Sequence, residues 1–240
     1  MGLAVRIDSK AHRAPGGGGM RPVLHDVAFT AGPGEVLALF GPSGTGKSTT
    51  LRIVMGLDDA YLGVVRRPEG RLGAMFQEPR LLPWMTVGDN LRLVRPEADY
   101  DPAPALAAVG LAGTAGLLPG ALSLGMARRA ALARALAVDP TLLVLDEPFA
   151  SLDPQTSRSL RALIADRAAT HGTTVLFSTH EIDHAVACAD RLLVLDGSPA
   201  TLAADMTLPR DDAAAREAAR TRLCAAFPFL APLASADASA

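Results

Sequence analysis

The segment Gly41-Pro42-Ser43-Gly44-Thr45-Gly46-Lys47-Ser48-Thr49 stands between an apolar run, Val36 to Phe40, and a helix-favouring stretch, Thr49 to Gly56. Its spacing, G-x-x-x-x-G-K-[ST] in the order strand, loop, helix, constrains the fold more than any other feature of the chain. Glycines let successive backbone N–H groups turn inward as a nest for anions, and the following helix adds the positive end of its dipole to the same place. The spacing predicts that residues Gly41 to Thr49 cradle the phosphates of a nucleotide. Lys47 then reaches the β- and γ-phosphates, and Ser48 ligates Mg²⁺. The basic residues number 23, yet only Lys10 and Lys47 are lysines. A compact ammonium is kept where a guanidinium fork would not fit.

Two more short apolar runs, Leu142 to Leu145 and Val175 to Phe177, end in small or polar residues. They read, with Val36 to Phe40, as strands buried on both faces of a parallel sheet. Leu3 to Ile7 reads as an opening strand, and Gly16 to Gly19 as a mobile loop after it. Met126 to Ala137 and Ser157 to Ala169 combine helix propensity with an amphipathic pattern, so the alternation is α/β. Pro79, Pro83, Pro96, Pro102 and Pro104 break the intervening chain, which predicts a loop-rich helical insert beside the sheet. At 240 residues the chain fits one large domain or one domain with an appendage. The expected division is a main unit over 1–225, a helical insert at about 78–138 within it, and a frayed tail over 226–240, patternless from Pro228 on.

The run Leu142 to Leu145 delivers Asp146 and Glu147 to the carboxyl end of its strand, where open α/β sheets bind ligands. Adjacent carboxylates need different tasks: Asp146 is expected to hold Mg²⁺ through water, and Glu147 to polarise an attacking water as general base.

Composition removes several other classes. The chain carries 23 basic and 25 acidic residues, a formal charge of -2, which withdraws the simplest electrostatic case for a nucleic-acid binder. Cys188 and Cys224 make neither a disulfide framework nor a zinc spacing. Arg6, Asp8, Lys10 and Arg13 interrupt the first residues, no apolar stretch reaches 18, and the expectation is a chain that does not itself cross a membrane.

Leu142-Leu-Val-Leu-Asp-Glu-Pro148, Ser151-Leu152-Asp153, Ser178-Thr-His180, Gln77 and Leu122-Ser-Leu-Gly-Met126 follow the cradle in an order that resembles the nucleotide-binding subunit of ABC transporters, from about Leu3 to Leu223. The resemblance implies an α/β P-loop NTPase of the ABC ATPase type, with a mostly parallel core sheet, an antiparallel β subdomain and a helical subdomain. It implies ATP hydrolysis with ATP and Mg²⁺, and site roles for Lys47, Glu147 and His180. His180 matches the histidine that contacts the γ-phosphate, and Gln77 the glutamine that touches Mg²⁺ and senses the membrane partner. Asp153 matches an aspartate at a dimer interface. Ser123 and Gly125 belong to a signature loop that completes the site of a second subunit in trans, which makes a homodimer the expected form.

Two departures stand out. Leu124 replaces a glycine of the signature, and a leucine there is strained if the position needs φ > 0. The region His12 to Met20, where relatives carry an aromatic residue that stacks on adenine, has none, leaving His12 or an arginine as substitute.

Met75 to Val87 and Leu208 to Arg210 are similar to importer ATPases for nitrate, sulfonates or taurine. Met126 to Arg134 also resembles importers or lipid-transport ATPases of another branch. The resemblance therefore implies a subunit peripheral to the cytoplasmic face of the membrane, partnered by a transmembrane permease and, through it, by a periplasmic or extracellular solute-binding protein. Trp84, in a proline-bounded loop, either meets a permease helix or fills the core of the insert. Two rival readings are a DNA-stimulated repair ATPase, for whose long coiled coils the chain has no room, and a hydrolysis-impaired regulatory subunit.

Overall fold

Along the three apolar runs, side chains alternate between two packed layers, and that alternation sets the plan of the whole molecule. The computed structural model describes residues 2–14, 16, 18–97, 99–210 and 212–227. Among them one sheet of nine strands has the order β4-β1-β2-β9-β8-β3-β7-β6-β5. Its strands are β1 (Leu3–Arg13), β2 (Met20–Ala31), β3 (Val36–Phe40), β4 (Leu62–Arg66), β5 (Leu72–Met75), β6 (Leu142–Asp146), β7 (Thr174–Thr179), β8 (Arg191–Gly197) and β9 (Ala200–Thr207). β8, β3, β7, β6 and β5 run parallel, whereas β4, β1 and β2 pair antiparallel at one side.

Val36, Ala38 and Phe40 of β3, Leu143 and Leu145 of β6, and Val175 and Phe177 of β7 face one core. That layer is covered by α2 (Val87–Arg92), α3 (Ala103–Ala108), α4 (Leu124–Ala137), α5 (Pro154–His171), α6 (Ile182–Cys188) and α7 (Ala213–Ala226). The intervening residues Leu37, Leu39, Leu142, Val144 and Leu176 face the other core, with β1, β2 and α1 (Lys47–Met55). Leu51 and Ile53 of α1 are fully buried there, each contributing roughly 1.5–3 kcal/mol.

Element boundaries move outward from the sequence reading. β1 continues through polar residues to Arg13 because it pairs with β2 as far as Arg13↔Met20, and ladder hydrogen bonds do not need apolar side chains. Ala14 N–H donates to Gly19 O at 2.9 Å to close this hairpin; of the expected mobile loop, Gly17 lies outside the described residues. α5 begins at Pro154, where proline fits the first helical position, and α4 begins at Leu124 behind its cap Ser123. α2, α3, a 3₁₀ turn (Pro119–Ala121) and α4 occupy the chain between β5 and β6. α7 extends to Ala226, and the expected frayed stretch Pro228 to Ala240 lies outside the described residues. Among the described residues no helix is long and apolar enough to cross a membrane.

Lys10 ties the antiparallel strands to the exit of α1. Lys10 is 4% exposed, and its Nζ donates to Asp58 Oδ1 at 2.6 Å and to Ala60 O at 2.9 Å. Burial pushes the Asp58 carboxyl up, but the hydrogen bond and charge of Lys10 outweigh it and hold the group below its ordinary value. A folded-state value that is depressed stabilises fully at neutral pH and loses that contribution as pH falls below the aspartate range. Lys10→Met is expected to cost about 3 kcal/mol in urea unfolding at pH 7, a difference that shrinks as pH falls and Asp58 takes up its proton. An unchanged unfolding midpoint would remove the pair from the account of stability.

Candidate active site

Parallel strands place their carboxyl ends side by side, so the segments after β3, β5, β6 and β7 meet at one edge of the sheet. The glycine loop follows β3, Gln77 follows β5, the Asp146–Glu147 pair closes β6, and His180 follows β7.

The loop turns through left-handed glycines, Gly44 at φ 84° and Gly46 at φ 85°. A Cβ on Gly46 would lie 2.6 Å from Leu24 Cδ2 and 3.1 Å from Val23 Cγ1, so both backbone and space require glycine. Thr45 Oγ1 donates to Pro42 O at 2.8 Å and fixes the turn. Lys47, 7% exposed, donates from Nζ to Gly41 O at 2.6 Å and Pro42 O at 2.9 Å. Burial pushes its ammonium below the ordinary lysine value, while Glu147 and then Asp146 draw it back up.

The same alternation that buries Leu142 and Val144 against α1 turns Asp146 to the α1 face of the sheet. Asp146 Oδ1 accepts the Ser178 hydroxyl at 2.5 Å. Glu147 has φ 53°, a left-handed conformation that costs a side-chain-bearing residue about 1–3 kcal/mol. Its backbone N–H donates to Ser178 Oγ at 3.0 Å, and its two carboxylate oxygens lie 2.9 and 2.8 Å from His180 Nδ1. Phe149 pins the following turn, with its ring edge-on to Phe177 at 5.6 Å and to His184 at 5.3 Å.

A cleft of about 480 Å³ opens over the glycine loop and Glu147, and Asp146 and His180 are not among the residues that line it. Ser43, Gly44, Gly46, Lys47, Ser48, Thr49, Gln77 and Glu147 line it. The opposite wall is His12, Arg13, Ala14, Arg21, Pro22 and Val23, from the hairpin of β1 and β2. His12 Nε2 is 3.2 Å from Thr49 Oγ1, and His12 pairs in register with Arg21. The wall carries imidazole and guanidinium planes, and Arg21 is a member that the sequence alone did not single out. Thr49 belongs to the first turn of α1, which begins two residues earlier than expected.

The oxygen donors at this edge suit magnesium: the Ser48 hydroxyl, the Gln77 amide and the Asp146 carboxylate are all hard ligands. Among the described residues no three His, Cys, Asp or Glu side chains form a metal-holding group. A cation at these donors would need a ligand's own oxygens to complete its shell.

Ser123, Gly125 and Asp153 do not line the cleft. Ser123 caps α4, its Oγ accepting from Met126 N at 3.2 Å, and Asp153 caps α5, its Oδ1 accepting from Thr156 N at 2.9 Å. The hydrogen bonds from Thr156 hold the Asp153 carboxyl below its ordinary value. The two caps are neighbours: a Cβ on Gly125 would stand 3.6 Å from Leu152 Cδ2, and the Arg128 guanidinium donates to Ala150 O.

Two conditional expectations are corrected. Leu124 is the first residue of α4 and lies outside the positive-φ set, so the strain argued for a leucine there does not arise. Its side chain is instead 58% exposed at the start of the helix. Trp84 does not fill the core of the insert: it is 74% exposed, on a loop that buried Asn90 clamps through Leu82, Met85 and Thr86.

A family model described as ABC transporter matches residues 24–150. An aliphatic sulfonates import ATP-binding protein, SsuB 2 of Pseudomonas syringae pv. tomato, is 42% identical over 216 residues, covering 87% of this chain and 90% of its own. SsuB 1 of Pseudomonas aeruginosa is 45% identical over 202 residues, covering 78% and 81% respectively. A solved dimer of an ATP-binding cassette, in a post-hydrolysis state with ADP and Pi, superposes with a TM-score of 0.78 at 26% identity over 86% of this chain and 99% of that one. With the cradle, the carboxylate pair and the histidine gathered at one sheet edge, the chain belongs to the ABC transporter family, as an ATP-binding subunit.

Proposed function

We propose that this chain is the ATPase subunit of an importer of small sulfonates, hydrolysing MgATP between two head-to-tail copies to drive a separate permease. The observation that carries the chemistry is the Glu147 carboxylate, held by His180 Nδ1 at 2.8 Å on the wall of the cleft that Lys47 and the glycine loop also line. The relatives, named as aliphatic sulfonates import ATP-binding proteins, support the solute class.

In this reading the loop backbone and Lys47 bind the β- and γ-phosphates, and His12 with Arg13 and Arg21 receives the base and ribose. Ser48 and Gln77 would ligate Mg²⁺ and Asp146 would hold it through water, and the ion would supply positive charge against that developing on the phosphates. Glu147 accepts a proton from the attacking water, and His180 keeps that carboxylate oriented and contacts the γ-phosphate. Ser123, Gly125 and the N-terminal turn of α4 stabilise the γ-phosphate of the second copy, as helix N-termini do for anions, with Asp153 at the shared interface. Trp84 and the clamped loop around it form the surface offered to the permease. The functional unit spans 1–225 with its insert at about 78–138, and it sits on the cytoplasmic face of the membrane beneath a permease that a solute-binding protein supplies.

The test is reconstitution: the purified chain with the permease that copurifies from membranes is expected to take up an alkanesulfonate only with ATP present. Uptake of an unrelated solute alone would sink the solute class. DNA-stimulated turnover would redirect the reading to a repair ATPase.

Leu124 gives a sharper check on the dimer. In this reading the exposed Leu124 stands where a glycine would let the second copy approach more closely, so Leu124→Gly is expected to tighten ATP-dependent dimerisation about tenfold in sedimentation. The cost to α4 is about 1 kcal/mol of stability. A weaker dimer would show that the leucine is itself a contact.

A further inference from the structure

Ser178 is a hydroxyl at the end of an otherwise apolar stretch of β7, Val175-Leu176-Phe177, and it is fully buried. Strand alternation puts it with Leu176 on the α1 face, and its cross-strand partner in register is Asp146. Its Oγ lies 2.5 Å from Asp146 Oδ1 and 3.0 Å from Glu147 N. A hydroxyl has one proton, and a backbone N–H can only donate. The assignment is thus unique: Ser178 accepts from Glu147 N–H and gives its proton to the Asp146 carboxylate.

We infer that Ser178 is a positioning residue that aligns both members of the carboxylate pair, fixing the rotation of Asp146 and the left-handed peptide of Glu147 through a single oxygen. His180, two residues further on, holds the other end of Glu147, so the end of β7 grips the pair at the backbone and at the side chain. Asp146 has its Oδ1 engaged by this bond, leaving Oδ2 for the metal's water shell. Without the hydroxyl, Asp146 rotates and the Glu147 peptide loses its tether, while the glycine loop that binds the triphosphate is untouched. This inference rests on the MgATP reading above.

The experiment compares Ser178→Ala, Ser178→Val and Ser178→Thr, the last two matched in volume and differing in the hydroxyl. ATP binding is measured by calorimetry in EDTA and in Mg²⁺, alongside kcat and KM. Ala and Val variants are expected to bind ATP in EDTA as the wild type does, to lose about tenfold of the Mg²⁺-dependent gain in affinity, and to lose about tenfold in kcat with KM little changed. Thr is expected to restore most of both losses relative to Val. A Val variant that matches Thr, or an Ala variant with the full Mg²⁺-dependent gain and full kcat, overturns the role of Ser178. If the two larger side chains do not fold, the comparison of Ala with wild type decides it. Wild-type protein that binds no ATP overturns the nucleotide reading, and this inference with it; wild-type protein that binds and hydrolyses ATP beside an unaltered Ala variant overturns this inference alone.

Discussion

Glu147→Gln is expected to bind ATP as tightly as the wild type, to lose turnover by about 10²- to 10⁴-fold, and to accumulate a closed ATP-bound dimer. The amide keeps the shape of the side chain and its place beside His180 Nδ1, but it cannot take a proton from water. The glycine loop and Lys47 supply the binding energy, and the Lys47 ammonium is anchored on Gly41 O and Pro42 O, which the substitution leaves in place. Loss must therefore fall on kcat and not on affinity. Stopped-flow phosphate release and gel filtration with ATP measure the two halves separately. Turnover within a few-fold of wild type would remove Glu147 as general base.

Lys47→Ala is expected to have the opposite profile, a collapse of binding. Of the three N–H donors of the ammonium, Gly41 O and Pro42 O hold two, and a charge-assisted hydrogen bond from the third to a phosphate oxygen contributes about 1.5–3 kcal/mol, or one to two decades in Kd. The structure adds a second loss, because Nζ also ties Gly41 O to Pro42 O across the mouth of the loop. Calorimetry with MgATP reads the effect, and the variant's urea unfolding shows whether the loop has merely collapsed. Tight binding in a folded variant would contradict the phosphate cradle.

The cradle was legible because its chemistry is local. Glycine spacing, one lysine and the start of a helix lie within nine consecutive residues, and short-range backbone geometry does the rest. The two-faced strands were legible for a similar reason, since runs such as Leu142 to Leu145 carry no polar residue and no face for solvent. The opening strand was read too short because its outer half is polar and is held by pairing alone. Trp84 could be read either way, since an aromatic residue between prolines fits a small core as well as a surface. Asn90, four residues after Thr86, decides the matter by consuming its amide on the loop backbone and leaving the indole outside.

Sequence by itself determined which chemical groups this chain possesses: a phosphate nest, a lysine, two adjacent carboxylates, a histidine, and the α/β order that carries them. Tertiary structure decided which of them meet. Asp146 and Ser178 are 32 residues apart in the chain, and Glu147 and His180 are 33 apart, yet each pair is within hydrogen-bond distance. Hydrophobic periodicity gives each strand its two faces but says nothing of the strand beside it. Register between neighbours is set by packing of the whole sheet, and that register alone brings the hydroxyl of β7 opposite the carboxylate of β6.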